Sequence, residues 1–139
     1  MSRIIAILLF CFAGCSQYSG APTSARPGDV CDGPVTDPKR TSLVALLANP
    51  DRFEGKPVAV IGFYHGSFEH SALYLGRDDF RHYVTSNGLW VANNVPESLN
   101  DHYVLLEGIF SAQSRGHLGQ WSGIICGVSK AVPWGGDEP

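Results

Sequence analysis

Five histidines and thirteen acidic residues in a chain of 139 raise metal binding and acid–base catalysis as the first chemical possibilities. His65 and His70 flank Gly66-Ser67-Phe68-Glu69, and Asp78, Asp79 and His82 follow in the next polar stretch. Imidazoles and carboxylates belong to the ligand set of zinc, and a fold that joined three of them could hold it. Their spacings match no metal signature of the H-E-x-x-H kind. Surface histidines with solvated carboxylates are therefore the preferred reading, and no metal or other cofactor is expected. Ser67 lacks the G-x-S-x-G setting of an activated nucleophile. Arg77, Asp78, Asp79 and Arg81 form a mixed charge cluster that suits a solvated turn better than a substrate clamp.

The stretch from Ser111 to Ser122 is a stronger candidate. Gly116 and Gly119 give it conformational freedom, while Arg115, His117, Gln120 and Trp121 offer charge, hydrogen bonds and a stacking plane. Tyr64, Tyr74 and Trp90 could floor a cleft beside it. The structural alternative is that Trp90 and Trp121 are core aromatics and that His117 fixes a hairpin, the commoner role of such rings in a small fold.

These side chains need strands to position them. Lys56 to His65 is apolar on both faces and broken by Gly62, and Val104 to Phe110 repeats its V-x-[V/L]-x-G-x-[Y/F] pattern around Gly108. Three further strands are predicted at 72–75, 88–91 and 123–132, separated by turn chemistry. Thr41 or Ser42 can cap a short helix carrying Leu43, Leu46 and Leu47, which Asn49-Pro50 ends. A single helical turn fits within 93–101. No strand–helix–strand alternation recurs, so a doubly wound parallel sheet is excluded as the architecture. Five strands in about eighty residues, two of them long with a glycine at the bend, fit a closed five-stranded Greek-key barrel. A small β-sandwich is the alternative.

The N-terminus carries an address. Arg3, the apolar run Ile4–Ala13 and the small residues Gly14 and Ser16 have the form of a secretory signal peptide, too short for a transmembrane helix. Phe12-Ala13-Gly14-Cys15 resembles the bacterial lipobox, with Phe12 in place of the usual leucine. That resemblance implies cleavage after residue 14, acylation of Cys15 and, with Ser16 and not Asp next, an outer-membrane lipoprotein facing the periplasm. Residues 15–40 are rich in Ser, Pro and Gly and read as a tether. Residues 41–133 form the domain, and 134–139 are expected as a disordered tail. Losing Arg3 leaves nine basic against thirteen acidic residues, a formal charge of −4 on the mature chain. This balance opposes nucleic-acid binding. With Cys11 in the signal and Cys15 on lipid, Cys31 and Cys126 remain as a candidate disulfide in an oxidising compartment. No Cys-x-x-Cys spacing suggests redox activity.

The string Asn49-Pro50-x-x-Phe53-x-Gly55-Lys56-x-Val58-x-Val60-x-Gly62, with Leu73-Tyr74-Leu75 and Asn87-Gly88-Leu89-Trp90-Val91, resembles a group of largely uncharacterised bacterial OB-like proteins over roughly 41–132. The resemblance implies an OB-like barrel with a short N-terminal helix, in which the loop joining the last two strands walls a ligand cleft. The functional expectation is a lipid-anchored, non-catalytic envelope module whose partner is an envelope protein, peptide or saccharide. The alternative is a metal-dependent or hydrolytic periplasmic enzyme built from His65, His70, Asp78, Asp79 and His82.

Overall fold

The computed structural model describes residues 30–92 and 95–135. The expected signal peptide, Cys15, most of the tether and the last four residues lie outside the described residues.

Leu43–Ala48 forms α1, with Ser42 as its N-cap; the Ser42 hydroxyl accepts a hydrogen bond from the Ala45 amide at 3.1 Å. Leu43 and Leu46, three positions apart, turn one face of this helix into the core. Asn49 breaks it, and Pro50 starts the single turn α2, Pro50–Phe53, at the position where its missing N–H costs nothing. Gly55, at φ +68°, then turns the chain into the sheet.

The strands are β1 (Lys39–Arg40), β2 (Pro57–Ser67), β3 (His70–Tyr74), β4 (Gly88–Val91), β5 (His102–Ser111) and β6 (Ile124–Pro133). A short helix, α3 (Arg77–Arg81), lies between β3 and β4. β2 to β6 close into a ring in the order β2-β3-β4-β6-β5-β2, with every pairing antiparallel except β4 with β6. This is the small all-β barrel with a short N-terminal helix that the sequence implies. The sixth strand is a difference. Lys39 and Arg40, placed by sequence in the tether, pair in parallel with Val58 and Ala59. They cover the stretch of β2 whose outer edge β3 does not reach, since β3 pairs only with residues 63–67.

Alternation along the strands separates two faces. Val58, Val60, Tyr64, Leu73, Leu89, Val91, Val104, Leu106, Phe110 and Ile125 fill the barrel interior with Leu43, Leu46 and Leu99. Gly62 and Gly108 share this inward parity. A Cβ on Gly62 would lie 2.6 Å from the Tyr74 carbonyl oxygen and 2.7 Å from the Leu73 side chain. One on Gly108 would lie 2.7 Å from Ile125. Each glycine thus lets a neighbouring strand curl in closely, which a barrel this narrow requires.

The outer faces are covered in two places. Phe63, Ala72, Tyr74 and Trp121 form one buried cluster with Phe80 and Trp90 packed against it. Ile109, Ile124 and Cys126 form another, closed by Val30, Cys31, Val35 and Ala92. The disulfide Cys31–Cys126 pins this second patch, with a Cα–Cα distance of 5.4 Å across 95 residues of sequence. At the other end of the chain, the Trp134 amide donates to the Tyr103 carbonyl, and the Arg40 guanidinium stands 5.0 Å from the Trp134 ring.

Candidate functional site

Tyr74, Trp90, His117 and Trp121 come together on the outer face of β3 and β4. Tyr74 and Trp121 rings meet edge to face at 5.5 Å, Trp90 lies 5.9 Å from Trp121, and His117 stacks on Trp90 at 6.1 Å and 28°. The loop 112–122 delivers two of these rings. Its start is fastened by Glu54, whose carboxylate accepts the buried Ser111 hydroxyl at 2.9 Å and the Ala112 amide at 2.5 Å. Its apex is seated on Trp90 through Gly116, where an added Cβ would be only 2.4 Å from the Trp90 Cβ. The Arg115 carbonyl accepts the Trp121 amide and closes the loop. Arg115, Leu118 and Gln120 are exposed, Leu118 by 76% and at φ +54°.

This arrangement differs from an open cleft. Tyr74 is wholly buried and Trp121 nearly so. Tyr64 does not join them: it has the parity of Val58 and Val60, faces the barrel interior, and shares a hydrogen bond of 3.2 Å with the Ser71 hydroxyl. Trp90 and Trp121 are packing aromatics, but on the outside of the barrel and not within it. The accessible surface is therefore the loop rim of Arg115, His117, Leu118 and Gln120, backed by half-buried Trp90.

The histidines of the first hairpin are also neighbours. His65 and His70 rings lie 4.9 Å apart, and Phe80 of α3 stacks on His65 at 4.2 Å. Each imidazole has its own polar partner: His65 Nδ1 lies 2.7 Å from Asp101 Oδ1, and His70 Nε2 lies 2.7 Å from the Tyr74 hydroxyl. Asp101 reaches His65 because it adopts φ +61°, a conformation aspartate tolerates, with its amide held by the Tyr64 carbonyl. The expected partners on α3 go elsewhere. Asp79 accepts from Asn87 at 2.8 Å, Asp78 is exposed 3.8 Å from Arg81, and His82 is exposed at the C-terminal end of α3. Among the described residues no three or more His, Cys, Asp or Glu side chains are grouped so as to hold a metal ion. Histidine side-chain hydrogen bonds there run to Asp101, Tyr74 and the Asn100 carbonyl, and none to a serine or cysteine.

Burial pushes the His70 pKa below the ordinary imidazole value, and the neighbouring His65 pushes the same way. Burial, with Tyr83 nearby, raises Tyr74 to about 12, so its hydroxyl stays protonated at physiological pH. A neutral His70 Nε2 can accept a hydrogen bond from the Tyr74 hydroxyl, and a protonated ring could donate to the same oxygen, so it is the desolvation of the charged ring that disfavours protonation. The folded state therefore binds fewer protons here than the unfolded chain. Stability should fall as pH drops below the unfolded imidazole value of about 6.5 and continue to fall until the lower folded pKa is passed. Urea denaturation at pH 8 and pH 5 is expected to show this drop. His70→Gln, whose amide oxygen can still accept from Tyr74, should reduce it; an unchanged difference would show that His70 does not contribute.

Sequence reasoning missed Phe63, Phe80 and Asp101. Phe63 was available from the parity of β2, Phe80 was hidden among the charges of α3, and the His65–Asp101 pair has no local spacing to reveal it. Together these features define a closed small β-barrel carrying a packed aromatic outer face and a displayed loop. No protein-family model matches the chain, and neither a curated protein nor a solved structure matches it significantly.

Proposed function

We propose that the protein is a non-catalytic binding module of the bacterial cell envelope, lipid-anchored through Cys15, that engages an envelope protein or peptide with its 112–122 loop. The observation that carries this reading is the seating of that loop. Gly116 rests directly on Trp90, and the chain accepts a positive φ at Leu118 while leaving that side chain in solvent. Tryptophan and arginine, two residue types enriched in protein-contact hot spots, are carried by or packed against this loop, with Leu118 as an exposed apolar neighbour. Leu118 favours a peptide surface over a saccharide. The disulfide supports an oxidising location.

A photo-crosslinking residue at Leu118, introduced in intact cells, is expected to capture a discrete envelope protein. The same group at Val44, which is 58% exposed on α1, should not capture it. Arg115→Ala should weaken capture several-fold. Equal capture from both positions would count against the loop, and capture of glycan alone would make the partner a saccharide. Labelling with a clickable fatty acid should be lost in Cys15→Ala; retained label would remove the anchor from the proposal.

A further inference from the structure

The end of the barrel where β2 finishes and β5 begins holds a cavity of about 300 Å3 that the loop reading does not use. Its walls come from Tyr64, Gly66, Ser67, Ser71, Val95, Glu97 and Asn100. Gly66 is required there, because a Cβ would fall 2.4 Å from the Tyr64 hydroxyl oxygen, which therefore reaches the cavity wall. Asn100 fixes the rim: its Oδ1 accepts the Gly66 amide and its Nδ2 donates to the Gly66 carbonyl at 2.7 Å. Both ends of that amide are thus committed, and the wall is held before any ligand arrives.

The remaining polar groups are three hydroxyls, which can accept as well as donate, and one carboxylate, which only accepts when ionised. The Tyr64 and Ser71 hydroxyls share a single hydrogen bond between them, which leaves oxygen lone pairs unused. The Ser67 hydroxyl and the Glu97 carboxylate have no partner among the described residues. Among the described residues no Lys, Arg or His lines the cavity to offset Glu97. Calcium sites draw on several carboxylates and carbonyls, more than this lining supplies, and the carboxylate repels an anion. We propose that this cavity binds the ammonium group of a small primary amine, with Glu97 supplying a charge-assisted hydrogen bond, the hydroxyl oxygens of Ser67, Tyr64 and Ser71 taking the other N–H donors, and Val95 contacting a short alkyl chain. Three N–H donors can be met by the carboxylate and hydroxyl oxygens, and about 300 Å3 is of the size that takes a small molecule. The site lies where β2 ends, against residues 95–100, and its lining shares no residue with the 112–122 loop.

Titration of the 15N-labelled protein with n-propylammonium chloride, followed by amide chemical shifts, tests the assignment. Gly66, Ser67 and Ser71 are expected to shift saturably, whereas n-propanol and sodium chloride at matched concentration leave them in place. Glu97→Gln, at an exposed rim position that no fold contact depends on, should weaken the response at least tenfold, and Ser67→Ala should weaken it less. Equal shifts with n-propanol, an undiminished response in Glu97→Gln, or no shift at these amides would overturn the proposal.

Discussion

Replacing both Cys31 and Cys126 by serine is expected to lower the free energy of unfolding by about 2–5 kcal/mol. The bond spans 95 residues, nearly the whole described domain. Its removal releases a loop-closure constraint worth about 4–5 kcal/mol in the chain-entropy account. It also frees the segment that closes the patch of Ile109, Ile124 and Cys126, where Val30 and Val35 are packed. Against a whole-domain stability of about 5–15 kcal/mol, such a loss is a large share. Urea denaturation of the oxidised protein and the double serine variant should show a lower midpoint in the variant and a steeper slope, since its unfolded chain exposes more surface. Dithiothreitol should move the parent toward the variant and leave the variant unchanged. Coincident curves would mean that the bridge constrains little.

The strands were legible because their periodicity is simple. Val58 and Val60, and Val104 and Leu106, recur at the same spacing before a glycine in two apolar runs, and the glycine in each strand marks the same event, a close neighbouring strand. What periodicity could not provide was the partner. The two glycines do not face each other: Gly62 lies opposite Val104 and Gly108 opposite Val58, and each makes room for the strand on its other side. β1 was invisible because two exposed residues carry no apolar pattern; only the uncovered edge of β2 gives them a role. Tyr64 and Tyr74 were grouped by type, although their parity within β2 and β3 sends one inward and the other outward. The grouping of Trp90 with Trp121 was suggested by aromatic content, and the two rings lie 5.9 Å apart. The helix that helps cover that face was not, because Phe80 sits among Arg77, Asp78, Asp79 and Arg81 and reads as part of a solvated turn.

The loop that the functional proposal depends on can be tested through its glycines. Gly116→Ala is expected to cost about 2–5 kcal/mol, from two sources of similar size. Gly116 has φ +62° and ψ −158°, a region that only glycine occupies without strain, worth about 1–3 kcal/mol. The new methyl would also lie 2.4 Å and 2.5 Å from the Trp90 Cβ and Cγ and 2.8 Å from Trp121 Cδ1. Such overpacking costs about 1–3 kcal/mol more, and the loop is the part free to move. Gly119 separates the two sources. It too has a positive φ, +68°, but an added Cβ meets nothing within 4 Å. Gly119→Ala should therefore cost only the backbone strain, about 1–2 kcal/mol. Lifting the loop uncovers Trp90 and Trp121, so Gly116→Ala should red-shift tryptophan emission under native conditions while Gly119→Ala should not. It should also abolish partner capture from Leu118 at temperatures where the barrel remains folded, because the apex no longer has its seat. If the two alanine variants match in midpoint and emission, the loop is not held by its contact with Trp90, and the rigid display on which the binding proposal rests is lost with it.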